Sequence, residues 1–392
     1  MRIVHVTPYY APAWDYGGPV RVAQALCQGL AARGHTVTVV TTDARDASAR
    51  AAPAEETRDG VRVVRVLNLS NWLAWRRVFV PLGARRRLAE ALQSADVAHL
   101  HEARSLLHLA ALPVLRRMGV PYVLTAHGSL PHHQQRGLLK GVYDAVGGRA
   151  VLDGGCRLHA ISAVEAESYQ KAGADPARVA VIPNGIDADE YRSPPEGAVF
   201  RERLGITADT PLVLFLSRLH PIKGVDFLLD AFAGLRERLP GAVLALVGPD
   251  DGAAEAARRQ VASLGMERAV HFVGWLAGPD KLAAYRAADA YVLPSRFDVF
   301  SIGLVEAMAC GAPVVVSRGC ALAGEIEGHG LGSVVDYGAV DDLSDALYET
   351  LSQPAGARER AARGRDWALS TYDWEGIVTE VEKLYRDCLE SA

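Results

Sequence analysis

Residues 289–316 read DAYVLPSRFDVFSIGLVEAMACGAPVVV. Residues 289–293 and 312–316 are short apolar runs with the length and composition of buried parallel strands. Between them Pro294 ends the first run, Asp298 falls in a loop, and a helix starting near Ser301 carries Glu306. Strand, helix and strand in this order form a βαβ unit, and successive units of this kind build a parallel sheet. The same alternation extends towards the N-terminus through 269–273, 242–247 and 211–217. It then recurs as an earlier set at 2–7, 36–42, 61–67, 96–100, 120–126, 157–161 and 178–182. The expected fold class is α/β, with two Rossmann-like parallel sheets.

A chain of 392 residues exceeds what one hydrophobic core usually supports, which agrees with two domains. Pro183-Asn184-Gly185-Ile186-Asp187 and Pro194-Pro195 mark a linker, because proline removes backbone donors that a helix or strand needs. The expected boundary lies near 190, giving domains 1–190 and 191–372 and a terminal helix 373–392. That helix places Trp374, Ile377, Val378, Val381, Leu384, Tyr385 and Cys388 on one stripe. The helix after the first strand does the same with Val20, Ala23, Leu26, Cys27 and Leu30, and Gly34 stops it. Residues 43–60, polar, small and aperiodic, read as a mobile loop.

With 49% hydrophobic and 22% charged residues the chain is a globular protein rather than a disordered or fibrous one. No apolar stretch approaches ~20 residues, so no membrane span is expected. The first residues, MRIVHVT, read as a strand rather than a signal peptide. Five cysteines, widely spaced and never in CxxC, argue against a disulfide framework or zinc cluster and favour a cytoplasmic setting. Residues 1–188 carry 22 Lys+Arg against 15 Asp+Glu, although the whole chain is at −4. A basic first half suits either a polyanionic or membrane-surface partner or a merely solvated face. Residues 71–92 interleave Trp72, Trp75 and Phe79 with Arg76, Arg77, Arg85, Arg86 and Arg87, a composition suited to peripheral contact with an anionic membrane. An ordinary helix covering the sheet is the alternative. No nucleic-acid partner is expected.

Binding a nucleoside diphosphate requires two phosphates to be neutralised, by a metal held on carboxylates or by fixed cations and backbone amides. Ser217-Arg218-Leu219-His220-Pro221-Ile222-Lys223-Gly224 follows the strand 211–217 and puts Arg218 and Lys223 at the C-terminal edge of a parallel sheet, where ligands bind. Arg218 can fork onto two phosphate oxygens and Lys223 can supply a point charge. The helix near Ser301 offers free first-turn amides, flanked by Asp298 and Glu306. Metal alternatives are thin: Asp187-Ala188-Asp189 is a literal DxD in the linker, and the pairs His99/His101 and His132/His133 lack helical i, i+4 spacing.

The segment from Pro294 to Val315 resembles the E-x7-E region of glycosyltransferase family four, and Ser-Arg-Leu-x-x-x-Lys-Gly resembles the phosphate clamp of that family. The order of Gly17-Gly18, Thr125-Ala126-His127-Gly128, Pro183-Asn184-Gly185-Ile186-Asp187, the clamp, Val247-Gly248 and Val273-Gly274-Trp275 extends the likeness over nearly the whole chain. The resemblance implies a GT-B fold whose two Rossmann-like domains face each other across a cleft, with the C-terminal helix crossing back. It implies a retaining transfer of a hexose-type sugar from a UDP- or GDP-linked donor to a saccharide or lipid-linked acceptor, with no metal and no other cofactor. It further implies that Arg218 and Lys223 bind the diphosphate, Glu306 holds the ribose and Asp298 meets the transferred sugar. The amides of Ser301 and Ile302 would lie near phosphate and sugar, His127 beside the sugar, and Gly17-Gly18 where backbone approaches phosphate or acceptor. The chain departs from the family at Asp298, where the family has glutamate, and at Ser301, where it usually has glycine.

Rival readings are a nucleotide-sugar epimerase on the same plan, a dinucleotide oxidoreductase and a non-catalytic sugar-nucleotide sensor. The oxidoreductase lacks its glycine fingerprint: the loop after the first strand reads PYYAPAWDYGG without GxGxxG. No GK dipeptide is present for a P-loop.

Overall fold

The computed structural model describes residues 1–130, 141 and 143–391. They form two units: Met1–Gly185 joined by the segment from Trp374, and Ile186–Asp373. The sequence-based boundary near 190 falls inside a short helix, Ala188–Arg192, of the second unit.

The first unit is built on strands β1 (Arg2–Val6), β2 (Thr36–Thr42), β3 (Glu55–Arg58), β4 (Val61–Asn68), β5 (Pro81–Leu82), β6 (Val97–His101), β7 (Tyr122–Thr125), β8 (Arg157–Ala160) and β9 (Val179–Val181). Their order is β3-β4-β2-β1-β6-β7-β8-β9, with β5 beside β4. β4, β2, β1, β6, β7, β8 and β9 run parallel, and β3 and β5 pair antiparallel with β4. Side chains alternate across a strand, so both faces must be apolar in a sheet covered on both sides. Val4, Val6, Leu100, Leu124 and Leu158 fill one face, and Ile3, Val97 and Val123 the other. Over the second face lie the helix Gly18–Ala32, through Ala23, Leu26, Cys27 and Leu30, and the C-terminal helix Trp374–Glu390. The latter buries Ile377, Val378, Val381, Leu384, Tyr385 and Cys388. Truncating Leu384 to alanine in such a core costs ~2–5 kcal/mol. His35 Nε2 and Arg33 reach Glu382 at 2.7 and 3.3 Å and tie the same helix down at its rim.

Two expectations are corrected here. Residues 43–60 are not one continuous loop, because Glu55–Arg58 forms β3 with Glu55, Glu56, Thr57 and Arg58 paired to β4. A short, exposed, charged edge strand has none of the apolar alternation that reveals a strand in sequence. The cysteines are not all free either. Cys156 and Cys388 form a disulfide across 232 residues, with Cα atoms 5.4 Å apart. Such a separation leaves no spacing motif, and the pairing becomes visible only once the C-terminal helix is docked. Cys27, Cys310 and Cys320 are free and buried.

The second unit contains β10 (Leu212–Leu216), β11 (Val243–Val247), β12 (Val270–Gly274), β13 (Ala290–Leu293), β14 (Val314–Ser317) and β15 (Gly332–Val335). All are parallel, in the order β12-β11-β10-β13-β14-β15. The chain winds outward from β10 in one direction through β11 and β12, then returns to place β13 on the other side. That reversal opens a crevice at the carboxyl ends of β10 and β13, the usual ligand position in such sheets. β15, reading GSVV, is a strand that the apolar-run criterion misses.

Candidate functional site

The loops after β10 and β13 carry the residues singled out in the second unit. Beyond β10, His220 accepts a hydrogen bond at Nδ1 from the Ile222 amide at 3.1 Å, and Pro221–Lys223 forms a single tight turn. Gly224 then adopts φ 69° and starts the helix Val225–Arg238. A Cβ at Gly224 would collide with the Pro294 carbonyl, so the Lys-Gly pair is the sequence form of two loops in close contact. The contact has a consequence for charge: Lys223 Nζ lies 2.5 Å from Asp298 Oδ2, with both side chains about nine-tenths buried. Asp298 Oδ1 also accepts from the Phe300 amide at 3.3 Å, fixing its rotamer. Arg218, more exposed, pairs with Asp251 on the loop after β11, a partner that motif reading does not supply.

Ser301 is the N-cap of the helix Ile302–Ala309, its Oγ accepting from the Leu304 amide at 3.4 Å. Serine is a favoured cap because its oxygen satisfies one of the helix's orphan donors, which gives a local reason for serine at a position where the family usually has glycine. Glu306, on the same helix, is surrounded by donors: Lys281 Nζ and the Tyr191 hydroxyl reach Oε1 at 2.7 and 2.9 Å, and the Tyr285 hydroxyl reaches Oε2 at 3.1 Å. Lys281, Tyr191 and Tyr285 belong to no motif and were not anticipated. The structure thus brings Lys223 and Asp298 into direct contact, and gives Arg218 and Glu306 separate partners. Asp187 of the DxD string caps the helix Ala188–Arg192 by accepting from the Asp189 amide at 3.1 Å.

Gly17, Gly18 and His127 belong to the first unit. Gly17 has φ 95° and is the N-cap of the helix Gly18–Ala32, a backbone conformation that favours glycine. His127 follows β7 with φ 50°, uncommon for a residue with a side chain. The next amide, Gly128, donates to Glu165 Oε1 at 2.5 Å, and Ile161 donates to Oε2 at 2.8 Å. Burial pushes the Glu165 carboxyl up to about 7.

Behind His127 lies a layer of imidazoles that sequence reading saw only as the pair His99 and His101. His5 and His99 are register partners on β1 and β6, and His101 and His159 face the same side of the sheet. His5 Nδ1 contacts His101 Nε2 at 2.9 Å, and His101 Nδ1 contacts His127 Nε2 at 3.0 Å. His99 bridges Tyr385 and Thr125, each at 2.7 Å, and Thr125 meets His159 Nδ1 at 2.9 Å. Burial lowers the pKa of every one of these rings, to about 3 for His5 and about 4 for His159, so the layer is neutral at pH 7. His5, His99 and His101 each bring a nitrogen within 4.8 Å of the others. Both nitrogens of His99 and His101 already have partners, whereas His5 Nε2 has none among the described residues. His132 and His133 lie outside the described residues.

Residues 71–92 form two short helices, Asn71–Trp75 and Ala84–Leu92, with β5 between them. Phe79 is buried with Tyr9 and Tyr16, whereas Trp72 and Trp75 are 62% and 45% exposed beside exposed Leu67, Leu69 and Leu82. Among the described residues no helix is long and apolar enough to cross a membrane.

Two parallel-sheet units with these connections are those of the GT-B glycosyltransferases. Sucrose-phosphate synthase from Thermosynechococcus elongatus matches with TM-score 0.77 at 24% identity over 100% of both chains. HepE from Anabaena, solved in complex with UDP-glucose, matches with TM-score 0.75 at 22% identity over 98% of each. In sequence, residues 16–190 match Glycosyltransferase Family 4 and residues 198–367 match Glycosyl transferases group 1. D-inositol 3-phosphate glycosyltransferase from Frankia alni is 31% identical over 411 residues, 99% of each chain. A GDP-mannose-dependent α-(1-6)-phosphatidylinositol monomannoside mannosyltransferase from Mycolicibacterium smegmatis is 35% identical over 201 residues, 49% of this chain and 52% of that one. The chain belongs to glycosyltransferase family four.

Proposed function

We propose that the protein transfers a hexose-type sugar from a UDP- or GDP-linked donor to an acceptor hydroxyl, with retention at the anomeric carbon and without a metal ion. The observation that carries this reading is the pairing of Lys223 with Asp298 where the strand order reverses: a cation and a carboxylate, both largely buried, sit at the ligand-binding end of the sheet. With donor bound, Lys223 and Arg218 would turn from their carboxylate partners to the diphosphate, and Asp298 would face the sugar. The bond from the anomeric carbon to phosphate oxygen breaks, and the acceptor oxygen bonds to that carbon on the same face. The acceptor proton passes to the departing diphosphate. Negative charge growing on the leaving oxygen is stabilised by Lys223, Arg218 and the first amides of the helix Ile302–Ala309, and one such preplaced donor is typically worth ~3 to 4 kcal/mol. The family resemblance assigns His127 and Gly17-Gly18, which belong to the first unit, to the same reaction.

For the acceptor, the names of the relatives favour inositol phosphates and phosphatidylinositol mannosides. A lipid-linked or saccharide acceptor in polysaccharide or glycolipid assembly also agrees with the exposed Trp72, Trp75, Leu67, Leu69 and Leu82, near the arginines of residues 76–87, as a peripheral contact with an anionic membrane. The protein would then work in the cytoplasm at the inner face of the membrane, a reading that no longer draws on the cysteines, because Cys156 and Cys388 are paired. A soluble small-molecule acceptor is the second reading, favoured by the full-length match to the inositol 3-phosphate enzyme. The test is to incubate UDP- and GDP-hexoses with inositol phosphate or phosphatidylinositol acceptors in EDTA, and to read free nucleotide and the anomeric configuration of the product by NMR. An α-linked donor giving an α-linked glycoside supports the proposal. A β-glycoside, a strict need for metal, or an epimerised donor without nucleotide release overturns it.

A further inference from the structure

Glu306 is held from three directions. Lys281 and Tyr285 are one turn apart on the helix Gly278–Ala287, and Tyr191 comes from the helix Ala188–Arg192. Oε1 takes both the Lys281 ammonium and the Tyr191 hydroxyl, at 2.7 and 2.9 Å, whereas Oε2 takes only the Tyr285 hydroxyl, at 3.1 Å. A carboxylate offers about four lone-pair sites. Three hydrogen bonds therefore orient the group and leave its remaining acceptor capacity on Oε2. Tyr285 is fully buried and Tyr191 nearly so, and the Lys281 and Glu306 side chains are 20% and 12% exposed. The arrangement resists rotation of the carboxylate better than any single contact would, and the ammonium supplies the strongest of the three bonds, because it pairs opposite charges.

We propose that Lys281, together with Tyr191 and Tyr285, is a positioning residue that fixes Glu306 with Oε2 presented to the hydroxyls of the donor ribose. This rests on the reading that Glu306 holds that ribose. Lys281 touches no substrate and acts only through the carboxylate, so its influence should depend on the presence of the sugar hydroxyls and vanish for ligands without them.

The experiment measures binding of three probes by calorimetry: the nucleoside diphosphate that the wild type prefers, its 2′,3′-dideoxy analogue, and inorganic pyrophosphate. Lys281→Met keeps the apolar stem and removes the charge. It is expected to weaken the ribonucleotide roughly ten- to hundredfold, the worth of one charge-assisted hydrogen bond, while leaving the dideoxy analogue and pyrophosphate within about twofold. Lys281→Arg should recover part of the loss. Tyr191→Phe, which removes a single hydroxyl, should reproduce the pattern at smaller size and covers the case in which Lys281→Met fails to fold. Equal weakening of all three probes by these variants, or no weakening of any, overturns the proposal. Glu306→Gln separates the two levels. If it abolishes the preference for the ribonucleotide while Lys281→Met and Tyr191→Phe keep it, the positioning role is wrong and the ribose contact stands. If the wild type shows no preference at all, the ribose contact itself is wrong.

Discussion

Removing Lys223 should separate two effects that share one side chain. Its ammonium neutralises Asp298 at 2.5 Å, with only 12% and 9% of the two side chains exposed. Breaking one partner of a buried pair leaves the other charge uncompensated, at a cost of ~3 kcal/mol at the lower end of the usual range. A unit of this size shifts its melting temperature by about 2 to 4 °C per kcal/mol, so Lys223→Ala should melt ~6 to 12 °C lower than wild type. The double variant Lys223→Ala/Asp298→Ala removes the orphaned charge and should recover most of that stability. Turnover behaves differently. If Lys223 also stabilises the leaving diphosphate, both variants lose at least about a hundredfold, because neither restores a cation. Differential scanning calorimetry and a donor-release assay on the same three proteins give the comparison. Recovery of turnover along with stability in the double variant would refute the catalytic role, and an unchanged melting temperature in Lys223→Ala would refute the buried pair.

The neutral histidine layer sets the response to acid. His5, His127 and His159 have folded pKa values lowered to about 3, 3 and 4, so the unfolded chain binds more protons below pH 6.5 and stability falls as pH drops through that window. At pH 4 each contributes a loss of about 3 kcal/mol. Glu165, raised to about 7, works in the opposite sense: its contribution is present below about pH 4.5 and is lost as pH rises towards 7, but it is one group against several. Urea unfolding between pH 7 and 4 should show stability decreasing steeply, and a flat profile would contradict the burial of neutral rings. At the exposed Trp72 and Trp75, replacement by serine should reduce co-sedimentation with anionic vesicles at low salt while leaving activity on a soluble acceptor intact. Wild type that ignores such vesicles would remove the membrane from the proposal.

Sequence reading succeeds where the constraint is local and repeated. The apolar runs that became β10, β11, β13 and β14 are buried on both sides, and the stripes of the helices Gly18–Ala32 and Trp374–Glu390 have a helical period that a core-facing helix must show. β3 and β15 escape because one is a charged edge and the other begins with Gly and Ser. At the site, Arg218, Lys223, Asp298, Ser301 and Glu306 stand out because their loops are short strings of fixed order. Their partners do not: Asp251, Lys281, Tyr191 and Tyr285 lie 33, 25, 115 and 21 residues from the groups they touch. The histidine layer shows why the same-facing positions of adjacent strands merit reading together. His5, His99, His101, Thr125 and His159 look scattered along the chain, but parallel pairing puts them on one face of the sheet, His5 and His99 at one level and His101, Thr125 and His159 at the next.

Metal-free recognition of a nucleoside diphosphate by Lys223 is tested most directly by thermal shift, with UDP, GDP, ADP and TDP each added in EDTA to wild type and to Lys223→Ala. A diphosphate at about 100 times its dissociation constant adds ~2.7 kcal/mol, or roughly 5 to 10 °C for a unit of this size. UDP or GDP should raise the wild-type melting temperature by that amount and leave Lys223→Ala unmoved. A shift that appears only when divalent metal replaces EDTA, or that survives in Lys223→Ala, would contradict it.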